Sequence, residues 1–216
     1  MALLPILHLT LLPLIIYQAT FFASAAVVDP ILGFTLVSLD NSNLVIQKPY
    51  NVPVYQRYNF TNGVHQFWIY PTDKSFKIDS NTQPRTEIRI SKHEYTSGSG
   101  IWQFEGYGYV PSGTSGVCIM QVFGGSSSAT TLQLRVYDGS LTYSKSPHVL
   151  SQNIYNRWFR VNAIHDVDAN NVKIYIDGVL KRDGVGSGAD THYFKFGVYV
   201  QNDSSNCMES RWKEGY

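Results

Sequence analysis

The chain has 216 residues, of which 44% are hydrophobic, 14% aromatic and only 15% charged, and its formal net charge at pH 7 is +1. A balance so close to neutrality excludes the bulk electrostatic attraction that draws basic proteins to nucleic acid or to anionic membranes. The length suits one domain of about 150–250 residues with a sizeable hydrophobic core.

The N-terminal segment predicts a secretory leader. Residues 1–28 contain no charged side chain, and the apolar run 3–22 ends in small residues. This pattern is typical of a signal peptide, which divides the chain into a leader at 1–25 and one domain at 26–216. Because no Lys or Arg precedes the run and the run is long enough to span a bilayer, an uncleaved signal anchor is the alternative.

The rest of the chain predicts β structure. Short alternating runs rich in Val, Ile, Thr, Tyr and Phe are separated by Gly, Asn, Asp and Ser. The predicted strands are 66–70, 85–91, 101–110, 117–123, 131–137, 141–143, 158–165, 172–176 and 193–201. Asp138-Gly139 and Asp177-Gly178 lie between such runs and predict tight hairpin turns. About ten short strands of this kind indicate an all-β fold, an antiparallel β-sandwich or jelly roll.

Sequons and cysteines agree with secretion. Asn59 and Asn202 each begin an Asn-X-Ser/Thr sequon and are predicted glycan acceptors. Cys118 and Cys207 are the only cysteines, an even count that allows one disulfide bond. The alternative is that Cys118 is a core thiol, because it alternates with two apolar residues, and spacing alone does not decide between them.

Several predicted strands present Arg, Gln and Tyr on one face, as the period of two requires. Arg offers a planar fork for carboxylates, Gln bonds to oxygen-rich groups, and Tyr stacks on a sugar ring or moves a proton. We therefore expect a concave sheet that binds an anionic ligand, such as a uronate or a small polycarboxylate. The alternative is an ordinary solvated sheet face with a surface charge ladder. The aligned residues are Arg85, Glu87 and Arg89; Gln103, Glu105, Tyr107 and Tyr109; Gln121 and Phe123; Gln133, Arg135 and Tyr137; and Tyr193, Lys195, Tyr199 and Gln201.

Three of these runs resemble known motifs. Arg-Thr-Glu-Ile-Arg at 85–89, Gln-Val-Phe-Gly at 121–124 and Tyr-Phe-Lys-Phe-Gly-Val-Tyr-Val-Gln at 193–201 resemble, in order and spacing, the motifs of the alginate lyase family 7 superfamily. The resemblance covers about residues 30–213 and is closest to the plant branch, the citrate-binding-protein-like proteins. It implies a β-jelly roll and a further strand at 208–213.

The resemblance also implies roles for single residues. Arg85 and Gln121 would hold the carboxylate of the ligand, and Glu87 and Arg89 would support them. Lys195 and Gln201 would line the cleft, and Tyr199 would be the catalytic acid, and the base as well, if the protein is a lyase. The lyase pattern also places a His two residues after the Gln, where this chain has Phe123. Because β-elimination needs both a base and an acid, the binding half of the site is expected to be retained and the proton-transfer half damaged.

Three hypotheses follow. The first is a non-catalytic secretory-pathway protein that binds citrate or a related carboxylate, in the vacuole or at the cell wall. The second is a polysaccharide lyase that cleaves an anionic uronic-acid polymer. The third is a glycan-binding module that uses Tyr107, Tyr109 and Tyr137 as stacking platforms.

Cofactors and further partners are not expected. No Cys/His cluster has the spacing of metal ligands, and no phosphate-binding loop follows a strand and precedes a helix, so we expect neither metal nor cofactor. We expect no nucleic acid, no membrane contact after removal of the leader, and a monomer.

Overall fold

A computed structural model describes residues 29–124, 130–143, 148–187 and 190–214, so the predicted leader at 1–25 lies outside the described residues. Two 3-10 turns, Asn41–Asn43 and Val54–Gln56, accompany the strands. Within the described ranges, no helix is both long and apolar enough to cross a bilayer. The strands in chain order are β1 Leu44–Gln47, β2 Tyr58–Thr61, β3 Val64–Ile69, β4 Arg85–Ile90, β5 Ile101–Tyr109, β6 Val117–Phe123, β7 Thr130–Tyr137, β8 Ser140–Tyr143, β9 Val149–Ser151, β10 Trp158–Asp166, β11 Asn171–Ile176, β12 Val179–Val185, β13 Tyr193–Val200 and β14 Met208–Lys213.

These strands form two seven-stranded antiparallel sheets, which confirms the predicted β-sandwich. The first sheet has the order β1-β4-β13-β6-β7-β8-β9, and the second sheet has the order β12-β11-β10-β5-β14-β3-β2. All nine strands predicted from alternation are present, as is the strand implied at 208–213. The four strands that the pattern missed, β1, β2, β9 and β12, are the four edge strands. These four edge strands bury few of their side chains, so their alternation is weak.

The core lies between the sheets and is rich in aromatic rings. The face of β13 predicted to be apolar does point inward, with Phe194, Phe196, Val198 and Val200 all buried. The Phe196 ring lies 5.7 Å from Phe67 and 5.9 Å from Trp212 of the second sheet. The two sides of β13 are therefore separated as predicted, and its polar side faces away from the core.

Both predicted hairpin turns are present. Asp138 and Gly139 have φ values of 46° and 77°, and Asp177 and Gly178 have φ values of 52° and 77°. Two successive residues with positive φ are what a two-residue turn of type I′ requires, and its twist matches that of the strands. These turns join β7 to β8 and β11 to β12.

Three histidines belong to the interior. His65 is 8% exposed, and His165 and His192 are fully buried. His65 Nδ1 lies 2.8 Å from the Tyr58 hydroxyl, and His165 Nδ1 lies 3.1 Å from the Tyr95 hydroxyl. Burial lowers the pKa of His65 from 6.5 to about 4, and burial together with the neighbouring His192 lowers the pKa of His165 to about 4. These residues have a structural role in the fold.

We predict that acid destabilises the fold through His65. The unfolded chain takes up this proton below pH 6.5 and the folded protein only near pH 4. The contribution of His65 to the free energy of unfolding is therefore fully present above pH 6.5 and decreases as the pH falls from there. Once the pH is below 4, about 3 kcal/mol of that free energy has been lost. Urea titrations at pH 7 and pH 4 measure the effect. The control is His65→Phe, which keeps an aromatic ring beside Phe60, Phe67 and Phe196 but does not titrate. An equal acid loss in both proteins would contradict this assignment.

Candidate functional site

The polar face of the first sheet gathers the predicted site residues from three adjacent strands, β4, β13 and β6. Because residues opposite each other in a ladder share a face, the register aligns two rows across the sheet. One row runs Arg89, Lys195, Gln121, Gln133, and the other runs Arg85, Tyr199, Cys118, Arg135. Glu87 lies between the rows on β4, opposite Gly197.

Glu87 is the centre of this cluster. Its carboxylate is 1% exposed and accepts hydrogen bonds from Lys195 Nζ at 3.1 Å and from Gln121 Nε2. It also forms an ion pair with Arg85 Nη1 at 3.4 Å. A buried carboxylate is tolerated only when it is paired and hydrogen-bonded. Glu87 thus fixes the positions of three of the predicted ligand-binding residues.

Gly197 makes room for this carboxylate. Its φ is +140°, and a Cβ atom there would lie 2.4 Å from the Thr86 carbonyl oxygen and 2.7 Å from Glu87 Cα. Only glycine fits such a conformation at such a close approach. Gly197 is therefore where the backbones of β4 and β13 come together beside Glu87.

The cluster holds more positive than negative charge. Arg85 and Lys195 are 5% and 2% exposed, and Glu87 is the single buried carboxylate that contacts them among the described residues. Burial lowers the pKa of Lys195, and the Glu87 carboxylate opposes that shift. The Arg85 guanidinium lies 3.9 Å from the centre of the Tyr199 ring, and its buried Nε donates to no described residue. Arg85 therefore retains hydrogen-bonding capacity beside an aromatic wall.

Two predicted members lie outside the centre of the cluster. Arg89 is at the rim, where its Nη2 donates to Glu94 at 2.7 Å and its guanidinium lies 4.0 Å from the Tyr193 ring. Gln201 follows the end of β13, and its amide donates to the carbonyl oxygens of Tyr199 and Val200 at 3.2 and 2.9 Å. The charge of Arg89 is therefore neutralised by Glu94, and the amide of Gln201 bonds to the backbone.

Three contributors were given no individual role in the site from the sequence. Gln133 Nε2 donates to Gln121 Oε1 at 3.5 Å, and Arg135 Nε donates to Gln133 Oε1 at 2.9 Å, which extends the cluster onto β7. The alternation of β7 already placed both side chains on the polar face. The third contributor is Phe76, whose ring centre lies 5.4 Å from Arg85 Cζ. Phe76 is in a loop, where the sequence carries no periodic signal.

A β-bulge changes the environment expected for Cys118. The pairing of β6 with β7 shifts between Cys118 and Met120, so Cys118 lies opposite Arg135 on the polar face, and the predicted alternation with core residues is wrong there. Its thiol is buried and contacts the Met120 carbonyl oxygen at 3.3 Å, and burial, together with Glu87, raises its pKa.

The disulfide alternative is also wrong, because Cys118 and Cys207 are both free thiols. Cys118 is buried in the first sheet, whereas Cys207 is exposed just before β14 of the second sheet.

The predicted tyrosine platform is divided between the two sheets. Tyr107 and Tyr109 lie on β5 of the second sheet and point outward, since Phe104 of the same strand is in the core. Tyr137 lies on β7 of the first sheet. These three rings do not form one surface, and the polar row of β5 is not on the sheet that carries the Glu87 cluster. Alternation in the sequence predicts which face of a strand a side chain lies on, but it does not predict which sheet the strand belongs to.

The described part of the chain contains no group of three His, Cys, Asp or Glu side chains that could hold a metal ion.

Comparisons with known proteins place this geometry in a family. A sequence profile of the alginate lyase family matches residues 37–215. A Hevea brasiliensis protein named citrate-binding protein is 53% identical over 186 residues, which cover 86% of this chain and 77% of that relative.

The solved alginate lyase AlgAT5 from polysaccharide lyase family 7 superposes with a TM-score of 0.63 at 16% identity, over 79% of this chain and 91% of its own. The alginate lyase from Corynebacterium sp. gives 0.61 at 17% identity, over 75% and 80%. The two structures share the fold, the profile spans most of the sequence, and the chain belongs to the alginate lyase family.

Proposed function

We propose that this protein binds citrate or a related small carboxylate on the polar face of the first sheet. The observation that carries the proposal is the charge balance of the cluster, in which two buried cations, Arg85 and Lys195, share the carboxylate of Glu87. A buried surplus of positive charge is costly until an anion compensates it. A ligand carboxylate supplies that compensation.

The second row strengthens the attraction for a polycarboxylate. Arg135 lies on the same face and bonds to the neutral amide oxygen of Gln133, so its charge is not cancelled there. Arg89, by contrast, is paired with Glu94. A small ligand with several carboxylates matches separate cations on β4, β13 and β7 better than one with a single charge does. The name of the Hevea brasiliensis relative, citrate-binding protein, supports the same ligand class.

The site of action follows from the leader. We propose that residues 1–25 are a signal peptide that directs the protein into the secretory pathway, with the vacuole or the cell wall as its destination. We propose that it meets its ligand there as a monomer.

Lyase activity is the second candidate, and the juxtaposition of Arg85 and Tyr199 favours it. A guanidinium that neutralises a uronate carboxylate, with a phenol beside it, provides two of the three functions of β-elimination. The third function, a base at C5, would belong to the residue at position 123, and this chain has Phe123 there. Its ring stacks on Tyr193 at 5.0 Å and lies 5.2 Å from Lys195 Nζ. A phenyl ring cannot accept a proton, so the residues support binding over cleavage.

We predict that citrate binds the protein and that Arg85→Ala weakens binding by about 2–4 kcal/mol, because the guanidinium would pair with a desolvated carboxylate. Calorimetry at neutral pH and low salt measures both. The matched control is Arg160→Ala, which removes an arginine that pairs with Glu105 on the second sheet and leaves citrate affinity unchanged. Thermal melts of each variant establish that it is folded. Absence of heat with the wild type, or equal losses in both variants, contradicts the proposal.

We predict no accumulation of unsaturated product when the protein is incubated with polyuronates, because the site lacks a base at position 123. Ultraviolet absorbance of the unsaturated uronate measures the reaction. Tyr199→Phe is the informative comparison. A rising signal in the wild type that Tyr199→Phe abolishes would establish the lyase and displace the binding proposal.

A further inference from the structure

The outer face of the second sheet carries a groove that the carboxylate site does not use. It has a volume of about 440 Å³, and its lining includes Tyr55, Asn59, Gln66, Trp68, Cys207 and Glu209. Tyr55 is 74% exposed and Trp68 is half-buried. Aromatic rings together with planar polar groups are the usual components of a saccharide site, because sugar rings stack on the former and hydroxyls bond to the latter.

The charges around this groove are balanced, unlike those on the first sheet. Glu209 Oε1 accepts hydrogen bonds from Gln66 Nε2 at 3.0 Å and from Arg211 Nε at 2.6 Å. Arg57 is paired with Asp73 at 2.7 Å. With each of these ions neutralised, the groove offers no surplus positive charge for a uronate. Its chemistry fits a neutral sugar.

The β-sheet register places a predicted glycan acceptor within reach of these rings. Asn59 lies opposite Gln66 in the pairing of β2 with β3, so it points to the same outer face. Trp68 is two residues further along β3 and lies opposite Glu209. Diagonal neighbours of this kind are about 7–8 Å apart, which one hexose ring spans. The Asn59 side chain is exposed, and its Nδ2 lies 3.1 Å from Oγ1 of Thr61, the third residue of the sequon.

We propose that Asn59 carries an N-linked glycan and that its first N-acetylhexosamine units occupy this groove, stacked on Tyr55 and Trp68. In the attachment step, carried out by the host, Asn59 Nδ2 forms a bond to C1 of the sugar. The C1–O bond to a lipid diphosphate donor breaks, and the diphosphate leaves with the proton from the amide. The attached glycan covers the outer face of β2, β3 and β14, and the carboxylate site on the opposite sheet stays open.

Cys207 provides a probe of this arrangement. It is the exposed thiol of the groove, whereas Cys118 is buried, so a thiol reagent applied to the folded protein labels Cys207. The protein is made as the full chain in a eukaryotic secretory host, and mass spectrometry reports occupancy at Asn59. We expect Asn59 to be occupied and labelling of Cys207 to be about fivefold slower than in Asn59→Gln, since stacking of ordinary strength keeps the groove closed most of the time.

Two variants separate docking from simple crowding by a glycan. Trp68→Ala keeps the sequon but removes the stacking ring, so its glycosylated form is expected to label as fast as Asn59→Gln. Asn202→Gln removes the other predicted acceptor and is expected to leave the rate unchanged. If Trp68→Ala does not fold, Tyr55→Ala in the exposed turn makes the same test. An unoccupied Asn59, or slow labelling that persists without the stacking ring, overturns the proposal.

Discussion

The buried carboxylate of Glu87 is the constraint on which the first sheet depends. Charged side chains rarely lie at 1% exposure, and this one does so because Lys195, Gln121 and Arg85 surround it. Removing one partner leaves an uncompensated ion, so the three strands that supply them are tied together by electrostatics as well as by the ladder. The same pairing holds the two cations in position for an anion from solution.

The two sheets thereby acquire different chemistry on their outer faces. The polar face of the first sheet has surplus positive charge beside Tyr199, which suits a carboxylate. The outer face of the second sheet pairs its ions, as Glu209 does with Arg211, and exposes rings such as Tyr55, which suits a neutral sugar. Membership of the alginate lyase family accounts for the architecture, but the ligand is decided by these local balances of charge and hydrogen bonding.

The sequence predicted most where alternation is strict. The two faces of β13 and the grouping of Arg85, Glu87, Gln121 and Lys195 followed from period two and from the motif resemblance. Three features of the structure did not follow from either of these. The bulge at Cys118 adds one residue and so inverts the face that alternation assigns. The edge strands bury too little to show a pattern, and Phe76 reaches Arg85 from a loop. Each depends on tertiary pairing, which local sequence does not encode.

A thermodynamic cycle on Glu87 and Lys195 tests the central claim most directly. Free energies of unfolding in urea are compared for the wild type, Glu87→Gln, Lys195→Met and the double variant at pH 7. If the carboxylate and the ammonium ion stabilise each other in the interior, each single change costs about 3–5 kcal/mol. The double change then costs less than the sum of the two by about 2 kcal/mol. Strict additivity would contradict the account, because it would mean that the two buried charges do not depend on one another.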